Sequence, residues 1–384
     1  MFRNRSNYFL AGTKDRSTID WILFLAIIPI LLFGLVTMHS FSGDSSFATH
    51  QIVAILFSMA VFFFVSFLDT RMMKLTRFSV FLFILTVLLL GSLFFLGKVA
   101  HGAQSWFDFG FFSFQPSDLA KISLIVILAK YFSRRHIEIA NVKHILVSGF
   151  YAFVFFSLVL VHPDLGSAMI IALIWLGMII ISGVSKKHLL IMLILGLTIF
   201  ALLWSFGFKE YQKDRIRSFI DPLADVRGVG YNAYQSAIAI GSGMTLGKGV
   251  GYGTQSRLKF LPEYQTDFIF AAFAEEWGFF GVLILFSLYG VIIWRIIKNA
   301  INGASNFEIL FSAGVAIYFI VHIVINIGMN MGLLPVTGTP LPFMSYGGTH
   351  ILVEFLALGL LMSMRSYARP VHKDATRNEF IGPQ

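Results

Sequence analysis

Cysteine is absent from this chain of 384 residues, and charged residues are scarce. Without cysteine the chain can form no disulfide, no thiolate nucleophile and no cysteine-ligated metal site. Asp, Glu, Lys and Arg make up only 13% of the residues, about half their share in a soluble domain, whereas 57% are hydrophobic. The composition therefore excludes an ordinary water-soluble fold.

Long apolar runs account for this composition. Runs of about 17 to 25 residues, long enough to cross a hydrocarbon core of roughly 30 Å, recur along nearly the whole chain. The sequence predicts an all-α polytopic membrane protein, a single integral membrane domain over residues 1–384, with about ten transmembrane helices. The predicted spans are 21–40, 50–68, 78–97, 118–133, 145–161, 166–184, 188–208, 267–294, 307–329 and 346–364.

The basic residues lie mostly between these spans. If the N-terminus is cytoplasmic, Lys and Arg cluster in the inside segments, and the short outside loops hold only Lys98. This asymmetry follows the positive-inside rule and predicts that both termini, including a tail at 366–384, are cytoplasmic. The net charge of +9 is therefore a topology signal, and no nucleic-acid partner is predicted.

A large extracytoplasmic loop is predicted at 209–266, between the seventh and eighth spans. It holds eight Lys or Arg residues, among them Arg215 and Lys248. Long loops escape the positive-inside rule, so the predicted topology stands. Two interpretations stay open, because these cations either bind an anionic ligand or are solvated beside lipid headgroups.

Glycine and proline concentrate in three outside loops, at 102–117, 228–262 and 328–348. Irregular backbone at membrane depth is tolerated only where it is buried in protein or lines a wet cavity. Three such loops on one face predict a shared extracytoplasmic cavity.

Asp267 lies where the large loop passes into an apolar helix, directly after Thr266. Ionisable groups near membrane depth are costly and indicate function by default. A carboxylate here has two interpretations. It caps the helix and favours its dipole, or it acts as a general base, a role that suits activation of a sugar hydroxyl.

Three of the other charged residues in predicted spans are candidates for function. At about 100° per residue, Glu275 lies about 80° around the helix from Asp267, and it either lines the same cavity or pairs with a buried cation. Lys121 lies one turn inside an apolar helix, where it snorkels, pairs with a carboxylate or contacts a bound anion. Asp118 suits the start of that helix.

Nucleotide and zinc sites are not predicted. The glycine-rich stretch 221–255 fails as a phosphate-binding loop, because Lys248 is followed by Gly249 instead of Ser or Thr. The ten histidines are scattered, and none has the spacing of zinc ligands.

Several blocks, in order along most of the chain, resemble the SEDS family of shape, elongation, division and sporulation proteins, which includes RodA and FtsW. The resembling residues are 102–121, with Phe-Gln-Pro-Ser-Asp at 114–118, and 162–166, 235–243, 253–255, 260–263, 266–270 and 332–348. The resemblance implies a ten-helix glycosyltransferase that polymerises lipid II outside the bacterial cytoplasmic membrane, together with a class B penicillin-binding protein. The short tails favour the elongation type, RodA-like.

The resemblance also implies roles for individual residues. Asp267 falls at the position of the family's essential aspartate, and Glu263, Lys121 and Asp118 match family positions. The predicted substrate-binding residues are Lys121, Asp118, Glu263, Thr266, Gln255, Arg215, Lys248 and Glu275. The family implies a divalent cation, Mg²⁺ or Mn²⁺, for which Asp267 is a candidate ligand. Gln265 and Ser105 depart from the family, because many members have His and a basic residue there.

In the mechanism that we expect, Asp267 takes the proton from the GlcNAc 4-hydroxyl of the acceptor. This hydroxyl attacks the MurNAc anomeric carbon of the donor and displaces a lipid diphosphate, whose charge the loop cations stabilise. Two alternatives stay open: a lipid II flippase or transporter, and a non-catalytic scaffold for a penicillin-binding protein.

Overall fold

A computed structural model describes residues 19–41, 46–100, 103–108, 113–133, 142–208, 210–221, 229–258 and 260–367. Within them the chain is almost entirely helical, which confirms the predicted all-α membrane fold. The helices are α1 (Trp21–Phe41), α2 (Ser46–Phe67), α3 (Thr76–Leu96), α4 (Pro116–Ser133), α5 (Val142–Val161), α6 (Leu165–Ile181), α7 (Lys186–Leu202), α8 (Glu210–Ile220), α9 (Val229–Ser242), α10 (Thr254–Arg257), α11 (Ile269–Ile301), α12 (Asn306–Asn330) and α13 (Gly348–Tyr367).

Each of the ten predicted spans coincides with one of these helices. Eight are long and apolar enough to cross a membrane, namely α1, α2, α3, α5, α7 with the π-turn that follows it, α11, α12 and α13. Helix α6, with 17 residues, has the minimum length for a span. Helix α4 differs because it carries Asp118, Lys121 and Lys130. The side of the membrane on which each end lies stays a prediction.

The predicted outside loops hold more regular structure than expected. The large loop contains α8, α9 and the single turn α10. The loop before α4 forms a small antiparallel sheet of β1 (Lys98–Ala100), β2 (Ala103–Asp108) and β3 (Ser113–Phe114), in the order β1-β2-β3. These elements were missed because their apolar runs are shorter than a membrane span.

Helices α4 and α12 lie at the centre of the bundle. Buried side chains cover almost all of α4 and most of α12, as expected for helices packed against several others. By contrast, none of the described side chains of α7 is buried, so this helix presents its apolar surface outward. The polar groups that α4 and α12 carry are therefore held deep inside the protein.

The end of the bundle opposite the large loop is fixed by an ion-pair cluster. The guanidinium of Arg295 on α11 lies 2.6 Å from the buried carboxylate of Asp20, and that of Arg365 on α13 lies 3.2 Å from it. This contact links the start of α1 to the far ends of α11 and α13.

The absence of cysteine allows a direct test of the topology. We expect a single cysteine at the exposed Arg257 (Arg257→Cys) to react with a membrane-impermeant maleimide in right-side-out vesicles. The matched variant Asn302→Cys, at the C-terminal end of α11, should react only after the vesicles are permeabilised. The opposite labelling pattern would show that the chain has the inverse of the predicted orientation.

Candidate active site

The segment before α11 forms a tight turn that carries three of the predicted site residues. Glu263 has a positive φ of 50°, and its carbonyl accepts hydrogen bonds from the backbone N–H groups of Thr266 and Phe268, both at 3.2 Å. The Thr266 hydroxyl donates to the Glu263 carboxylate at 3.1 Å. The turn thus places Glu263, Thr266 and Asp267 side by side at the start of α11.

Three consecutive carbonyls of this turn are bound by other parts of the protein. The Gln265 carbonyl accepts from the Tyr346 backbone N–H at 2.8 Å, and the Thr266 carbonyl accepts from the Ser345 hydroxyl at 2.6 Å. The Asp267 carbonyl accepts from the side-chain amides of Asn326 and Asn330, at 3.0 and 2.9 Å. We call these contacts the carbonyl clamp. It fixes the backbone of residues 265–267 against α12 and the loop before α13.

A small apolar cluster supports the same turn from the side of α9. It is separate from the main core and comprises Ala239, Leu261, Tyr264, Phe268, Ala271 and Ala272. Burial raises the pKa of the Tyr264 hydroxyl, to which the Gln265 amide donates at 3.0 Å. Burial also raises the pKa of Tyr346. Both tyrosine hydroxyls therefore stay protonated at ordinary pH.

The Asp267 carboxylate is half-buried under the loop that precedes α13. Gly338 in this loop has a φ of 72°, and a Cβ atom there would lie 3.4 Å from Oδ2 of Asp267. A side chain at this position would be strained and would crowd the carboxylate. Glycine therefore suits the backbone conformation with which the loop passes beside Asp267.

Helix capping does not account for Asp267. The N-cap of α11 is Phe268, and this residue makes no side-chain capping hydrogen bond. Asp267 lies one residue earlier, outside the position from which a carboxylate caps a helix. The general-base interpretation stays a prediction.

Lys248, Gln255 and Glu275, all predicted to bind substrate, meet at a second location. The fully buried Glu275 carboxylate accepts from the Lys248 ammonium at 2.7 Å. It also accepts from the backbone N–H of Thr254 at 2.8 Å and that of Gln255 at 3.2 Å. Glu275 therefore holds the glycine-rich loop 243–255 against α11. Whether these residues also bind substrate stays a prediction.

A kink in α11 allows this docking. Gly278 has non-helical angles, φ 63° and ψ −164°, which interrupt the helical hydrogen bonds. The loop replaces them with four backbone hydrogen bonds, from Phe279 N–H to Met244, from Phe280 N–H to Thr245, from Lys248 N–H to Glu275 and from Gly249 N–H to Glu276, at 2.9 to 3.2 Å. The neighbouring Glu276 carboxylate accepts from the Gly251 N–H at 2.7 Å.

Lys121 and Asp118 form an ion pair inside the bundle. The Lys121 ammonium lies 2.7 Å from the Asp118 carboxylate, and both side chains are at most 2% exposed. The ammonium also lies 3.4 Å from Nε2 of His322, and Asp118 lies 3.5 Å from Nδ1 of His350. Of the three interpretations of Lys121, pairing with a carboxylate is the one observed. Its contact with substrate stays a prediction.

The structure gives less support to two further predictions, the role of Arg215 and the divalent-cation site. Arg215 lies on α8, and its side chain is outside the described residues. Within the described parts of the chain, no group of three His, Asp or Glu side chains is arranged to hold a metal ion. A cation site built by the protein alone therefore does not fit these residues.

Asn326, Asn330, Ser345 and Tyr346 were not predicted from the sequence. Asn326 and Asn330 are uncharged residues in an apolar helix, and no chemical motif marks them. Their one signal is spacing, because residues four apart lie on the same face of a helix.

Known proteins resemble this chain over almost all of its length. Residues 17–370 match the family model for cell cycle proteins of the FtsW, RodA and SpoVE type. Peptidoglycan glycosyltransferase MrdB of Escherichia coli (strain K12) is 34% identical over 360 residues, covering 94% of this chain and 96% of that protein. Stage V sporulation protein E of Bacillus subtilis (strain 168) is 32% identical over 374 residues, covering 93% and 100%.

Solved structures give the same result. The rod shape determining protein RodA of Thermus thermophilus has a TM-score of 0.69 at 27% identity, covering 94% of this chain and 99% of that one. A chain from a peptidoglycan synthase complex, studied for its coordination of polymerization and crosslinking, has a TM-score of 0.80 at 29% identity. The match covers 91% of this chain and 98% of that one.

The role of Glu275 can be tested through stability. Because Glu275→Ala removes a buried carboxylate and leaves the Lys248 ammonium and two N–H groups without their acceptor, we expect a loss of about 3–5 kcal/mol in the free energy of unfolding. The melting temperature in detergent measures it, and Glu210→Ala, at an exposed carboxylate of α8, is the control and should leave it unchanged. Weaker lipid II binding at an unchanged melting temperature would instead show a direct role in substrate binding.

Proposed function

The chain belongs to the FtsW, RodA and SpoVE family of cell cycle proteins, and from this premise we propose that Asp267 is the general base of its reaction. The chain is a peptidoglycan glycosyltransferase of the inner membrane, with multiple membrane-spanning helices, and it polymerises glycan strands for cell shape. The proposal concerns how its residues perform this reaction and on which substrates.

The observation that carries the proposal is the placement of the Asp267 carboxylate. It lies at the start of α11, half-buried, with its own backbone fixed by the carbonyl clamp and with the loop at Gly338 packed beside its Oδ2. A general base must be held within hydrogen-bonding reach of the proton that it removes. The hydrogen bonds to the Asp267 carbonyl fix the backbone that carries the carboxylate, which suits this requirement.

In the proposed reaction the substrate is lipid II, used outside the membrane. The acceptor's GlcNAc 4-hydroxyl oxygen forms a bond to the anomeric carbon of the donor's MurNAc. The bond from that carbon to the lipid diphosphate breaks, and the diphosphate leaves with its electron pair. The hydroxyl proton passes to Asp267, which raises the electron density on the attacking oxygen as the new bond forms.

A divalent cation remains part of the proposal. Mg²⁺ commonly takes one or two carboxylates and completes its shell with water and substrate phosphates, so Asp267 and a bound diphosphate suffice as its ligands. When bound, the ion would neutralise charge on the leaving diphosphate. In this alternative Asp267 would hold the ion instead of acting as the base, and its replacement would raise the cation concentration needed for activity.

The partner that we propose is a class B penicillin-binding protein. The support is the similarity to a chain from a peptidoglycan synthase complex, which couples polymerization with crosslinking. The outward-facing apolar surface of α7 is one surface of this chain that such a partner could contact.

The proposed role of Asp267 is tested by Asp267→Asn, which keeps the shape of the side chain and removes the base. We expect glycan polymerisation from purified lipid II to fall by about 10²- to 10⁴-fold, the usual contribution of a general base. The assay measures polymer with and without the partner synthase and a divalent cation.

The control is Asp69→Asn, the same change at an exposed aspartate between α2 and α3, and it should leave polymerisation unchanged. Polymer at the wild-type rate from a folded Asp267→Asn protein would remove Asp267 from the mechanism. No polymer from the wild type, even with partner and cation, would favour the flippase or scaffold interpretation.

A further inference from the structure

The Asp267 carbonyl lies outside the hydrogen-bond ladder of α11. The ladder begins one residue later, where the Phe268 carbonyl accepts from the Ala272 N–H at 3.1 Å. The carbonyl of Asp267 instead faces α12 and accepts from two side-chain amides. Its orientation is therefore set by α12.

Both amides come from one face of α12. Asn326 and Asn330 are four residues apart, so they lie one helical turn from each other. Both side chains are fully buried, with no exposed surface. The Asn330 amide also donates to the Asn326 carbonyl at 2.8 Å, and the Ser236 hydroxyl of α9 donates to the Asn330 carbonyl at 2.8 Å. The pair therefore joins α9, α11 and α12.

Asn326 also reaches the loop that lies beside the Asp267 carboxylate. Its Nδ2 donates to the Asp267 carbonyl at 3.0 Å and to the Thr339 carbonyl at 2.7 Å, which uses both of its hydrogens. Thr339 directly follows Gly338, whose position limits the space around Oδ2 of Asp267. A single amide thus sets the distance between the aspartate and the loop in front of it.

The two amides serve backbone groups on both sides of the proposed base. Apolar residues at 326 and 330 would leave the Asp267 and Thr339 carbonyls without these donors. The hydrogen bonds of the two amides are thus concentrated around Asp267.

We propose that Asn326 and Asn330 are positioning residues of the glycosyl transfer. They hold the Asp267 backbone and the Thr339 segment at a fixed separation, so that the carboxylate points at the acceptor hydroxyl. The inference rests on the proposed role of Asp267 and extends it to two residues that do not themselves touch the substrate. Because small displacements of a catalytic group lower the rate steeply, their loss affects turnover more than substrate binding.

The test compares Asn326→Ala, Asn330→Ala and the double variant in steady-state polymerisation of lipid II by the full-length protein with its partner synthase. We expect kcat to fall by about 10- to 100-fold in each single variant, with KM for lipid II within about twofold of the wild type. Asn299→Ala removes an amide that contacts Asp20 at the other end of α11, and it should leave kcat unchanged.

A second comparison separates positioning from general loss of stability. In the Asp267→Glu background the carboxylate is already displaced, so Asn326→Ala should lower kcat by much less than it does in the wild type. Asn330→Ser replaces the amide with a hydroxyl, which still supplies one donor and disturbs packing less than alanine, and it should cause an intermediate loss of kcat at a wild-type melting temperature.

Three results would overturn the inference. They are wild-type kcat in folded Asn326→Ala and Asn330→Ala proteins, a rise in KM without loss of kcat, and equal losses in the two backgrounds. If these occur while Asp267→Asn is inactive, only the positioning role fails. If Asp267→Asn is itself fully active, the proposed function of Asp267 fails first.

Discussion

The site depends on the hydrogen bonds that bind three successive backbone carbonyls, those of residues 265–267. Residues 265–267 leave their backbone oxygens unpaired by α11, because the helix begins after them. Donors from α12 and from the loop before α13 satisfy all three. Burying an unpaired carbonyl costs about 1–3 kcal/mol, so this turn has one favourable place in the bundle. The position of the Asp267 carboxylate follows from it.

The break in α11 at Gly278 ties the large loop to the same helix. A continuous helix would pair its own amides and carbonyls and offer none to the loop. With the kink, two amides and two carbonyls pair with residues 244–249 instead. The two adjacent carboxylates, Glu275 and Glu276, then bind the next part of the loop. The loop that follows α9 and the helix α11 thus form one unit. The proposed base lies at the N-terminal end of α11.

Much of the fold could be predicted from the sequence, because hydrophobic length is a strong and local signal. All ten predicted spans coincide with helices, even α4, whose three charges make it atypical. The pairing of Lys121 with Asp118 was one of the predicted alternatives, and their spacing of three residues places them on one helix face. Helices α8 and α9 were missed because they are short and lie within a polar loop.

The site was only partly predictable, because its contacts join distant parts of the chain. Asp267 was found from its charge at the edge of an apolar helix. The grouping of Lys248 and Gln255 around Glu275 depends on the kink at Gly278, which no sequence period encodes. Asn326 and Asn330 carry no charge, and their importance appears only when the Asp267 carbonyl is seen between them.

The most direct test of the account is an experimental structure of the Asp267→Asn protein bound to lipid II and its partner synthase. In this structure an acceptor sugar hydroxyl should lie within about 3 Å of the side chain at position 267, the distance needed for proton transfer. The carbonyls of residues 265–267 should still contact Asn326, Asn330, Ser345 and Tyr346. Sugar bound away from position 267, with the clamp intact, would contradict the assignment of Asp267 as the base.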